Sequence, residues 1–131
     1  LQKQFDFAKT KPKVKGSVLY SVKYLVENKV RIMDVIRNVY KTPVLLPYLG
    51  RTIAEKPNPP TNVRVSGSNL SWSGVQAAYY AVYKDNGINQ IASLIGTTKD
   101  TTFKLNEKGT YFVTALNKKN AESDLSESVN Y

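Results

Sequence analysis

The sequence contains no cysteine and no histidine. Without cysteine there is no disulfide and no thiol nucleophile, and thiol usage assigns no redox compartment. Without histidine every Ser-His or Cys-His pair is excluded, together with the common zinc sites. Asp and Glu, ten in all, are the remaining ordinary acids and bases. Catalysis within this chain is therefore not expected, and neither is a cofactor or a metal. No stretch approaches the ~18 consecutive apolar residues of a membrane-spanning helix. What is present is a globular composition: 131 residues, 41% hydrophobic and 11% aromatic, with nine Tyr, four Phe and one Trp. That content argues against disorder and suits one small domain, or one domain with an appendage.

The net charge of +9 is unevenly placed. Residues 1–56 hold 12 Lys and Arg against 4 Asp and Glu, whereas residues 57–131 hold 7 against 6. The break falls at Lys56-Pro57-Asn58-Pro59-Pro60-Thr61, where three prolines forbid a helix and favour an extended spacer. Two units are expected, 1–56 and 57–131. The chain opens on Leu1, with neither Met nor leader, and reads as a piece of something longer.

After the prolines, strand-like runs alternate with turn residues. They are Asn62–Val65, Leu70–Ser73, Tyr79–Lys84, Ile91–Ile95, Thr101–Leu105, Thr110–Leu116 and Ser126–Tyr131. Asp85-Asn86-Gly87 reads as a hairpin turn, because Asn and Gly accept positive φ. Seven short strands with turns every 8–12 residues describe a β-sandwich. Alternation selects the inner face: Val63, Val65, Leu70, Trp72, Tyr80, Val82, Phe103, Leu105, Tyr111, Val113 and Ala115.

These residues resemble a known family. Pro59-Pro60-Thr61-Asn62-Val63, Leu70-Ser71-Trp72 and Tyr80-Ala81-Val82-Tyr83-Lys84 are similar to a fibronectin type III domain of the sort attached to bacterial extracellular glycosidases. Lys84 stands where that family usually has Arg. Gly109 to Asn117 resembles its sixth strand, and Asn120-Ala121-Glu122-Ser123 its following turn. The resemblance implies a fibronectin type III-like (immunoglobulin-like) fold in which Tyr111 bonds through its hydroxyl to nearby backbone. Tyr79 and Tyr83 fall on the face opposite Tyr80. They are candidates for a sugar-stacking platform, with ordinary cross-strand pairing as the simpler reading.

In the first unit, Leu1 to Lys9 reads as a helix with Leu1, Phe5 and Ala8 on one face. Val14 to Val22 reads as a strand. Asn28 suits the cap of a second helix carrying Val30, Met33, Ile36, Val39 and Tyr40 at helical spacing. Val44 to Leu49 is apolar and is expected to pack on the sandwich or across a self-associated pair.

Gly16-Ser17-Val18-Leu19-Tyr20-Ser21, and then Tyr40-Lys41-Thr42-Pro43-Val44-Leu45-Leu46-Pro47, resemble the close of the glycosyl hydrolase-like 10 barrel. Tyr20 stands for its Phe, Val44 for its Ala and Tyr48 for its second Pro. The resemblance implies that residues 1–56 end a (β/α)8 barrel, an α/β segment preceding a mainly β domain. It implies a bacterial parent that is a glycoside hydrolase, extracellular, periplasmic or anchored to the envelope. Tyr20, Ser21 and Lys23, at the end of the expected strand, would then line its substrate cleft. Asp6, Glu27, Asp34 and Glu55 are off that strand end and read as solvated charge.

The leading expectation is a non-catalytic accessory region bracing or spacing a catalytic barrel, with the rest of that barrel as its partner in cis. The alternative is a carbohydrate-binding module using exposed aromatics, with polysaccharide as partner. Basic charge on the first unit raises nucleic acid as a third partner, but no recognition motif accompanies it, so no specific binding is expected.

Overall fold

Aromatic and β-branched residues alternating with polar ones favour a pleated, half-buried strand. The computed structural model, which describes residues 2–14, 16–19, 22–28, 31–48 and 55–131, forms such strands throughout the second half of the chain. The chain divides into two compact units, Leu1–Lys41 and Thr42–Tyr131. The described residues 42–48 and 55–56, ahead of the proline run, group with the second.

The described residues of the second unit form seven strands: β1 Thr61–Ser66, β2 Asn69–Ser73, β3 Tyr79–Lys84, β4 Ser93–Thr98, β5 Thr102–Lys104, β6 Thr110–Leu116 and β7 Val129–Asn130. They make two antiparallel sheets, β1-β2-β5 and β4-β3-β6-β7. This is a fibronectin type III-like β-sandwich. The side chains chosen by alternation meet between the sheets. Leu70, Trp72, Tyr80, Val82, Leu105, Tyr111, Val113 and Ala115 are buried in one cluster, with Val63, Val65 and Phe103 packed against it. Burying each large side chain contributes about 1.5–3 kcal/mol. The Trp72 and Tyr80 rings meet edge to face at 5.4 Å, a favoured aromatic geometry.

Two polar ties fix the corners. The Tyr111 hydroxyl donates to the Glu107 carbonyl at 2.7 Å, as the resemblance implies. The Tyr80 hydroxyl donates to the Val75 carbonyl and accepts the Val75 N–H, both at 3.0 Å. Gly96 lets the Phe103 ring approach β4: a Cβ there would lie 2.9 Å from the ring.

In the sandwich β7 is shorter than expected, Val129–Asn130 instead of Ser126–Tyr131, and β4 and the turn before it are displaced. β4 covers Ser93–Thr98 rather than Ile91–Ile95, and residues 85–92 form a longer loop in place of a tight hairpin. The Asn86 side chain explains the shift. Its Nδ2 donates to the Ile91 carbonyl at 2.6 Å and to Ser93 Oγ at 2.9 Å. Asn89 adopts positive φ, so the loop turns again before the ladder begins.

The described residues of the first unit form three helices, α1 Gln2–Lys9, α2 Val22–Glu27 and α3 Ile32–Val39. Phe5 on α1 is buried, and its ring meets Tyr40 edge-on at 5.8 Å. The cap position of α3 falls to Arg31, which makes no side-chain cap bond, and not to Asn28 as expected; Asn28, three residues earlier, still accepts the Met33 N–H through Oδ1 at 2.8 Å. The strand expected over Val14 to Val22 is corrected. Among its described residues none is in a ladder, Val18 is 96% exposed, and Val22 opens α2. A lone strand leaves its backbone groups unpaired, and no other described segment of this unit is extended into a ladder.

Candidate functional site

Alternation along β3 turns Tyr79 and Tyr83 away from the core. The register sets Tyr83 directly opposite Phe112 on β6, and the two rings stack at 5.2 Å with 15° between their planes. Both tyrosines are half-buried, and both hydroxyls are engaged. The Tyr79 hydroxyl donates to Asn120 Oδ1 at 2.7 Å. The Tyr83 hydroxyl donates to Glu122 Oε1 at 2.8 Å, and the Thr114 hydroxyl donates to the same oxygen at 2.7 Å.

These bonds hold the β6–β7 connection over the outer face. Leu116 and Glu122 form an antiparallel bridge. Its return accounts for the burial of Ala81, Thr114 and Leu116, which point away from the core yet are almost fully covered. Burial pushes the Tyr83 phenol well above its ordinary range, and the hydrogen bond to Glu122 and its negative charge push the same way. A sugar platform needs a flat ring face open to ligand. Tyr83 gives one face to Phe112, and the polar edge of each tyrosine is already satisfied. The arrangement therefore acts first as a stitch between strands and loop.

Sequence reading did not anticipate Thr114, Asn120 or Glu122 as partners of the two tyrosines. The Asn120–Ser123 turn is visible in the sequence, but nothing local connects it to a strand about forty residues earlier. The segment at Pro43–Leu46 runs beside this face and shares a shallow groove with Tyr79, Leu94 and Asn120.

Of the cleft-lining candidates, Tyr20 and Ser21 lie outside the described residues. Lys23 is in the first turn of α2, with Glu27 Oε1 4.0 Å from its ammonium, so the expected position at a strand end is corrected. The carboxylates of the first unit are occupied on helices. Asp6 accepts from Gln2 Nε2 at 2.9 Å, and Asp34 pairs with Arg31 at 2.7 Å and Arg37 at 3.9 Å. Lys84 reaches Glu107 at 2.8 Å, which raises the lysine and lowers the carboxylate from their ordinary values.

No protein-family model matches the chain. Over 133 residues it is 30% identical to glycosyl hydrolase YngK of Bacillus subtilis (strain 168), a match covering 86% of this chain. The chain spans 26% of that protein's length. Similar solved structures include a Fn3-like protein from Clostridium thermocellum, 22% identical, covering 58% of this chain and 92% of that one with a TM-score of 0.48. Another is FN3tt, 21% identical, covering 59% of this chain and 96% of that one with a TM-score of 0.42.

Proposed function

We propose that this chain is a non-catalytic accessory region of a bacterial glycoside hydrolase, C-terminal to a catalytic barrel that its sandwich braces or spaces from the cell surface. The reach of the similarity carries this reading. A match over 86% of the chain exceeds the share of either compact unit, so the likeness to a glycosyl hydrolase crosses from the helical unit into the sandwich. A sandwich alone would say little, because this fold hosts many functions.

The chemistry supports the non-catalytic part. Glycoside hydrolysis generally needs two carboxyls about 5–9.5 Å apart across the scissile bond. Asp6 is instead tied to a neighbour on its own helix, and Asp34 to Arg31 just before α3 and Arg37 within it. The partner is then the rest of the barrel in cis, in a parent that works outside the cytoplasm.

A second reading makes the sandwich a carbohydrate-binding module. The groove beside Tyr79 favours it, and the Tyr83–Phe112 stack weighs against it. The chain is expected neither to hydrolyse aryl glycosides nor to be retained on insoluble polysaccharide. Retention lost on Tyr79→Ala would replace bracing with sugar binding. Turnover lost on mutating Glu27 or Asp34 would overturn the non-catalytic reading.

A further inference from the structure

Prolines 57, 59 and 60 have no N–H to donate, so a segment built from them is anchored through its carbonyls. Asn117, just past the end of β6, does this at Glu55, two residues ahead of Pro57. Its Nδ2 donates to the Glu55 carbonyl at 2.9 Å. Its Oδ1 meanwhile accepts the Lys119 N–H at 2.8 Å and the Ala121 N–H at 3.0 Å, shaping the turn that follows β6. One carboxamide thus joins the turn to a residue 62 positions upstream. Pro60, at the other end of the segment, is buried. A second tie, Lys56 to Asp124 at 3.2 Å, has side chains 61% and 84% exposed, and ion pairs that open contribute little.

We propose that Asn117 is a latch: its carboxamide fixes where the proline linker leaves the sandwich, making residues 55–60 a rigid extension of the sandwich instead of a swivel. The prolines already stiffen the segment between the two anchors, so one hydrogen bond at residue 55 is enough to set its direction. The latch lies within the sandwich unit and stands whatever the parent protein does.

Asn117→Asp in the full chain isolates the effect. It keeps the Oδ1 acceptor that shapes the turn, deletes the Nδ2 donor, and sets a carboxylate against the Glu55 carbonyl. Endoproteinase Glu-C cleavage after Glu55 is expected to rise about three- to tenfold, the change in open population from one lost hydrogen bond. Hydrogen exchange along β6 and the thermal midpoint stay as in the parent chain. Asn117→Ala, which also loses the acceptor, raises cleavage after Glu55 and exchange in the turn after β6 together, and Asp124→Ala, which removes the ion pair without altering the scissile bond, changes cleavage less than about twofold. Unchanged cleavage after Glu55 in Asn117→Asp overturns the latch. So does an equal rise in exchange along β6, because the linker bond would then be inseparable from the turn.

Discussion

Replacing Trp72 with alanine brings the sandwich close to unfolding, whereas replacing Tyr83 does not. Trp72 is 6% exposed, sits on β2, and meets the Tyr80 ring at 5.4 Å. Truncating a core tryptophan costs about 3–5 kcal/mol, against a total stability of about 5–15 kcal/mol for a small domain. Tyr83 is half-buried on the other face of the neighbouring sheet. Its loss removes a stacked ring, worth about 0.5–1.5 kcal/mol, and a hydrogen bond worth about 1 kcal/mol. Urea unfolding of the full chain reads the difference. At a slope of about 1.5 kcal/mol per M, the midpoint falls by about 2–3.3 M for Trp72→Ala and about 1–1.7 M for Tyr83→Ala. The indole Nε1 is buried without a hydrogen-bond partner. Trp72→Phe removes that desolvated donor, whose burial costs about 1–3 kcal/mol, and so is far milder than Trp72→Ala. If Tyr83→Ala proved the more damaging change, the face described as outer would be the true core, and the strand alternation would be wrong by one residue.

The Tyr83 phenol titrates above its ordinary value of 10.0 because of burial and Glu122. The folded state therefore keeps a proton that the unfolded chain has released above about pH 10, and stability falls as pH climbs past that point. Tyr83→Phe removes this part of the alkaline decline; superimposable stability curves for the two proteins would refute the assignment. Tyr111→Phe deletes the bond to the Glu107 carbonyl and lowers stability by about 0.5–1.5 kcal/mol, measured by the same urea midpoints. No change there would deny the corner its role.

The sandwich was legible because its signals are local. Tyr79–Lys84 and Thr110–Leu116 are dense enough in aromatic and β-branched residues to set both limits, and the inner-face residues follow from a period of two. β4 was misplaced because Ile91 looks like a strand residue, while the force that keeps it in the loop is a side-chain bond from Asn86. The helical unit was harder. Val14, Val18 and Val22 are β-branched, which suggests a strand, but a strand also needs a partner, and sequence pattern does not report whether one is at hand. At the candidate site, alternation placed Tyr79 and Tyr83 on the correct face. What they do there depends on Asn120 and Glu122, contacts made by the fold and invisible to any local window.

Calorimetry and kinetics on the proposed parent, a barrel-containing glycoside hydrolase, with and without residues 57–131, test the central proposal most directly. The account predicts that deletion leaves kcat on a small soluble glycoside within about twofold. The barrel's thermal transition falls by about 2–4 °C for each kcal/mol of lost bracing contact. Loss of turnover with the barrel transition unchanged would contradict it, because the sandwich would then supply a group the reaction needs.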